Sequence, residues 1–148
     1  MPINSRQKGA KAESDLVTNL KALTGLDWVR TPRSGAGPIK GDLIIRGFKE
    51  KNRFTVEAKH YKDDALTSKL LLAKGQQNLD RWWEQSLEEA KVMRREPLLI
   101  FRHNRSKWLV ATFIAPINTE YILYSEKAIY IMALNEWVIQ EEIVWTLD

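Results

Sequence analysis

The chain has 148 residues and a mass of 17.2 kDa, the size of one ordinary domain whose core needs neither metal nor disulfide staples. A hydrophobic fraction of 44% and a charged fraction of 28% exclude a disordered or fibrous chain, and the absence of cysteine excludes disulfides, thiolate zinc sites and a cysteine nucleophile. The net charge of +4 is uneven, with 15 Lys/Arg against 8 Asp/Glu through Lys74 and 8 against 11 thereafter, which points to a polyanion as partner of the first half or, on charge alone, to a solvated basic surface.

The polar, basic stretch from Met1 to Lys11 has no apolar run suited to a signal peptide or a membrane span, so a cytoplasmic protein is expected. From about Arg6 to Leu23 the spacing of Leu16, Val17, Leu20 and Leu23 predicts a helix that Gly25 stops. Glu13 falls on the same side as that apolar stripe and therefore points inward, where a carboxylate needs a partner. A short strand, Trp28 to Thr31, leads into a bent loop from Pro32 to Lys40 that contains Gly35, Gly37 and two prolines. Asp42 to Arg46 and Phe54 to Lys59 read as an antiparallel hairpin around a polar connection, Gly47 to Arg53.

Leu79, Trp83, Leu87 and Ala90 mark a long helix between Gly75 and Arg95, ended by Pro97. Trp82 and Trp83 occupy adjacent positions on it, so one indole is expected in the core and the other at a partner surface. Pro97 to Arg102 and Trp108 to Phe113 form a further strand pair, Ala128 to Ala133 another strand and Asn135 to Gln140 a short helix. The whole is expected to be a single α/β domain, 1–148, with a mixed central sheet flanked by helices and residues 114–148 as an accessory strand and helix.

Strand alternation places Thr55, Glu57 and Lys59 on one face and Phe54, Val56 and Ala58 on the other. Asp42, just ahead of Leu43-Ile44-Ile45, can meet Glu57 across the hairpin. Two carboxylates so placed repel unless a proton or cation intervenes, and Mg²⁺ is the hard cation that takes one or two carboxylates while keeping water and phosphate oxygens. Such a site fits phosphodiester hydrolysis, with Lys59 orienting the nucleophile or stabilising charge on phosphorus. Taken alone, Glu57 and Lys59 also fit an ordinary surface ion pair. Arg30, Arg33 and Lys40 bracket the glycine-bearing loop and suit a backbone phosphate.

The order Asp42, then Glu57-Ala58-Lys59, resembles the signature of the PD-(D/E)XK nuclease superfamily. More narrowly, Arg6-Gln7-Lys8-Gly9-Ala10-Lys11-Ala12-Glu13, Val29-Arg30, Ser34-Gly35, Gly41-Asp42-Leu43 and Val56-Glu57-Ala58-Lys59 resemble the archaeal-type Holliday junction resolvases and their phage relatives. The likeness runs from Ser5 to Lys59 and continues more loosely to Phe113.

This resemblance implies a restriction-endonuclease-like fold and a Mg²⁺-dependent endodeoxyribonuclease, with Mn²⁺ as a substitute. It implies Asp42, Glu57 and the Ala58 backbone carbonyl as metal ligands, Lys59 as the catalytic lysine, Glu13 at the metal site through water, and Ser34 near the scissile phosphate. Arg6, Lys8 and Lys11 match a basic arm that contacts DNA. Two departures stand out: Gly41 replaces the usual proline before the aspartate, and Ala58 replaces the usual valine. The expected function is resolution of branched DNA by a homodimer, without membrane or small-molecule cofactor. The alternatives are a nuclease of the same fold acting on duplex, flapped or nicked DNA, and a DNA-binding module without chemistry.

Overall fold

The computed structural model describes residues 5–32, 40–47, 51–140 and 143–147, and for residues 5–8 the backbone alone. Helix α1 spans Ser5–Thr24, followed by strands β1 (Trp28–Arg30), β2 (Leu43–Ile45) and β3 (Phe54–Tyr61). Helices α2 (Lys69–Leu72) and α3 (Asn78–Met93) lead to β4 (Glu96–His103) and β5 (Leu109–Thr112). The chain closes with β6 (Ile122–Tyr124), β7 (Ile129–Ala133) and α4 (Leu134–Val138). The seven strands form one sheet in the order β1-β2-β3-β4-β5-β7-β6. Its one parallel pair is β3 with β4, and the connection between them carries α3 over the sheet. The expected mixed α/β sheet with flanking helices is thus observed.

The two long helices, α1 and α3, cover opposite faces of the sheet. Ala12, Leu16 and Leu20 of α1 pack with Phe54, Val56, Leu98, Ile100, Val110 and Met132. Leu79, Trp82 and Trp83 of α3 pack with the alternate residues Leu99, Phe101, Ala111 and Ile131. Period-two alternation along each strand thus feeds two separate cores. The α1 helix stops as its sequence predicts, with Gly25 at φ +73° and its N–H donating to the Lys21 carbonyl at 2.9 Å. Gln77 and Asp80 close a reciprocal capping box at the start of α3.

The hairpin of β2 and β3 is tied by a side chain as well as by its ladder. Asn52, buried, accepts from the Ile45 N–H at 2.8 Å and donates to the Ile45 carbonyl at 3.1 Å, standing in for a missing strand partner. Trp145 packs edge-on against Trp28, Phe54 and Trp137, with ring centroids 5.3, 5.6 and 5.5 Å away. Residues 114–148, expected as an accessory strand and helix, contain β7 and α4 and also supply buried Met132, Leu134 and Trp137 to the core under α1.

One expectation fails at α3. Both Trp82 and Trp83 are buried, so neither indole is left over for a partner. The sheet is wide enough to meet both sides of the helix's inward wedge: Trp82 leans on Tyr61 and Phe101, and Trp83 stands edge-on to Phe113 on β5's side. Strand β6 and helix α2 were not expected at all.

Candidate active site

The site lies where β2 stops and β3 continues. Within the β2–β3 ladder the register is Leu43 opposite Val56, so among the described residues no residue of β2 lies opposite β3 from Glu57 onward. Asp42 fills the first vacancy. Its N–H donates to the Val56 carbonyl at 2.7 Å, its carbonyl accepts from the Thr31 N–H at 2.8 Å, and its Oδ2 accepts from the Ala58 N–H at 2.8 Å. A carboxylate fixed at both its backbone ends and at its head is preorganised rather than searching.

Gly41 explains the departure from the usual proline. It sits at φ +95°, which proline cannot adopt, and a Cβ there would meet Thr55 Cγ2 at 3.0 Å and the Val56 carbonyl oxygen at 3.3 Å. The chain reaches Asp42 through a left-handed turn pressed against β3.

Beside Asp42, Glu57 and Lys59 lie on the face of β3 turned toward α3, as alternation requires. The helix runs antiparallel to the strand, so alternate strand residues meet successive helix turns. Tyr61 stacks on Trp82 at 4.8 Å, Lys59 Nζ donates to Gln85 Oε1 at 3.0 Å, and Gln85 Nε2 makes a long contact with Glu57 Oε2 at 3.5 Å. One turn on, the Glu89 carboxyl lies against that of Glu57. Gln85 and Glu89 were not among the expected site residues. The signal was present, because both continue the stripe of Trp82 at helical spacing, as Glu13 continues that of Leu16.

Glu57 is 3% exposed, and its carboxyl is pushed from 4.5 up to about 10. Burial is the main cause, followed by the Glu89 carboxyl and then by the charge of Asp42. Glu89 Oε2 is itself buried and accepts no hydrogen bond among the described residues. Without a cation, such a set holds a proton; a hard divalent cation suits the same oxygens. Among the described residues, no three His, Cys, Asp or Glu side chains are arranged to hold a metal by themselves. A cation here would rely on two carboxylates supplemented by backbone and water, as Mg²⁺ commonly does.

Glu13 is 8% exposed, inward as expected, and its Oε2 accepts from Arg30 Nε at 2.8 Å. Arg30, expected to face DNA, is therefore bound to Glu13 while its side chain stays 44% exposed. It pairs with Leu43 across β1 and β2, which places the Glu13–Arg30 pair beside the Asp42 end of the hairpin. Lys11 and Lys40 are exposed. Arg33 and Ser34 lie outside the described residues, as do the side chains of Arg6 and Lys8.

Two carboxylates and a lysine beside one strand, on a mixed sheet between helices, suit a nuclease of the PD-(D/E)XK class. The chain belongs to the family described as "Phage putative PDDEXK endonuclease", whose model matches residues 4–143. Nucleases of this class generally use divalent metals. A curated relative is protein D14 of Escherichia phage T5, 36% identical over 116 residues, which are 75% of this chain and 72% of that protein. Among solved structures, the chain is similar to Hjc, a Holliday junction resolvase of the archaeal hyperthermophile Archaeoglobus fulgidus. That match covers 95% of both chains at 14% identity with a TM-score of 0.45, too loose to assign any property to this chain.

Proposed function

We propose that this endonuclease resolves four-way (Holliday) junctions by Mg²⁺-dependent phosphodiester hydrolysis, with Mn²⁺ able to substitute. The observation that carries the hydrolytic part is the meeting of Asp42 with Glu57 beside β3, with Lys59 next to Glu57 on the same strand face. Junction choice rests on the ordered motifs from Arg6 to Lys59 that resemble archaeal-type resolvases.

In this reading Asp42 and Glu57 hold the cation. The Ala58 N–H points to Asp42, and the N–H and carbonyl of one strand residue share an edge, so the Ala58 carbonyl faces the same place and serves as a third donor. When bound, the cation polarises the phosphate and lowers the pKa of a water. Lys59 orients the nucleophile and stabilises charge on the phosphate oxygens. Glu13 contributes through water and Ser34 near the scissile phosphate, while Arg6, Lys8, Lys11, Arg30, Arg33 and Lys40 neutralise the backbone. The chain acts as one nuclease domain in the cytoplasm of a prokaryotic or phage-infected cell. It works as a homodimer, because a junction is resolved by two symmetric cuts and a two-fold pair of sites matches that symmetry.

The test is cleavage of a labelled four-way junction beside matched duplex, flapped and nicked DNA, with and without Mg²⁺. Paired, symmetric cuts in the junction alone support the reading. Equal cutting of duplex, flapped or nicked DNA would replace it by a less selective nuclease, and binding without cutting would reduce the chain to a DNA-binding module.

A further inference from the structure

We infer that Gln85 is a positioning residue of this nuclease, its amide carbonyl holding the Lys59 ammonium level with the Glu57 carboxyl and its amide N–H steadying the carboxyls of Glu57 and Glu89. The inference rests on the reading of Asp42, Glu57 and Lys59 as a hydrolytic site. It adds a member from a helix that the motif does not include.

Lysine is a compact charge on a flexible stem, and its placement costs conformational entropy unless something fixes its head. Here the Nζ is fixed by Gln85 Oε1 at 3.0 Å. A neutral carbonyl orients Lys59 without cancelling the charge that a phosphate would meet.

The other end of the same amide has the complementary task. Gln85 Nε2 lies 3.3 Å from Glu89 Oε1 and 3.5 Å from Glu57 Oε2. An ammonium only donates and a carboxylate only accepts, so an amide is the uncharged group that can face both at once, and its orientation follows from that. A glutamate at this position would add a further negative charge where Asp42, Glu57 and Glu89 already crowd. The backbone beneath is steady, because Trp82, one turn earlier, is 5% exposed and wedged between Tyr61 and Phe101.

The experiment uses the whole chain with Mg²⁺ and the DNA that the wild type cleaves, under single turnover. Gln85→Met keeps length and loses both hydrogen-bonding ends; Gln85→Glu keeps the acceptor for Lys59; Glu88→Ala, exposed on the next turn, is the control. Gln85→Met is expected to slow cleavage about 10²-fold, the scale of a misplaced catalytic group, with DNA affinity within about twofold of wild type. The Lys59 side-chain ammonium resonance, assigned by its loss in Lys59→Ala, should change from ordered to mobile. Gln85→Glu should keep Lys59 ordered, recover part of the rate and displace the pH–rate profile, a response that a merely structural residue would not give.

A Gln85→Met protein with wild-type rate, or one that is slow while Lys59 stays ordered, overturns the inference. If Gln85→Met does not fold, a mobile Lys59 in folded Gln85→Glu does the same. Failure of the wild type to cut any of the DNAs would instead overturn the nuclease reading and this inference with it, which keeps the two failures apart.

Discussion

Ionising Glu57 is unfavourable in the metal-free protein, and this has a thermodynamic signature. Its carboxyl rises from 4.5 to about 10 on folding, so the folded state holds the proton more tightly than the unfolded one. Stability is therefore greatest below the ordinary carboxylate range and is lost as pH rises from there toward the folded value. The melting temperature of the metal-free protein should fall between about pH 5 and 9, and Glu57→Gln should flatten that slope and melt several degrees above wild type at about pH 8. Added Mg²⁺ should raise the wild-type melting temperature and leave Glu57→Gln nearly unmoved. A wild-type melting temperature independent of pH would remove the buried, protonated carboxyl. On the proposed reading, Asp42→Asn and Glu57→Gln should abolish cutting in cleavage assays while DNA binding persists or strengthens, because each change would remove a metal ligand and a carboxylate facing the phosphate. Lys59→Ala should fold normally and lose most of the rate. Cutting at wild-type rate by the first two variants would dismiss the metal site.

At the scale of elements, the β2–β3 hairpin depends on one side chain from its connection. Asn52→Ala would strand the Ile45 N–H and carbonyl in a buried place, at a cost of about 1–3 kcal/mol for each group left unsatisfied. Chemical denaturation should show that loss, and hydrogen exchange should report it first in β2. Much of this architecture is readable from residues alone. The hairpin follows from alternation in Phe54 to Lys59, α1 from its leucine spacing, and the inward Glu13 from the same spacing. Other elements leave no such trace. Helix α2 has four residues and buries none of them, so no amphipathic stripe exists to be read. Strand β6 is an edge whose Ile122 and Leu123 remain about half exposed, so its apolar residues do not alternate with polar ones. Gln85 and Glu89 fall on a legible stripe, but their meeting with Glu57 and Lys59 depends on how α3 crosses β3, a tertiary fact. The pair Trp82-Trp83 misleads for a related reason, since helix periodicity is silent about how much sheet lies beneath it.

For the molecule as a whole, two properties decide how DNA would be met. The basic first half holds the Arg6 and Lys8 arm, and replacing both residues by alanine should weaken junction binding and lower the log-log salt slope by about 0.9 per lost phosphate contact. An unchanged slope would move the DNA elsewhere. Light scattering at micromolar concentration should give about twice the 17.2 kDa chain mass. With both indoles of α3 buried, that expectation stands on the symmetry of the substrate alone, and a strict monomer on junction DNA would favour a nuclease that cuts once.

The aromatic contact of Trp145 also orders events in time. Asp42, Glu57 and Lys59 leave a translating ribosome long before Trp145, and the rings of Trp28 and Phe54, behind the strands that carry these residues, gain their edge-on contact with that indole only when it arrives. A nascent chain halted at Ile139 would contain Asp42, Glu57 and Lys59 and lack the indole that packs on Trp28 and Phe54. The wall behind the hairpin is thus completed only after Trp145 is made, well after the strands it backs.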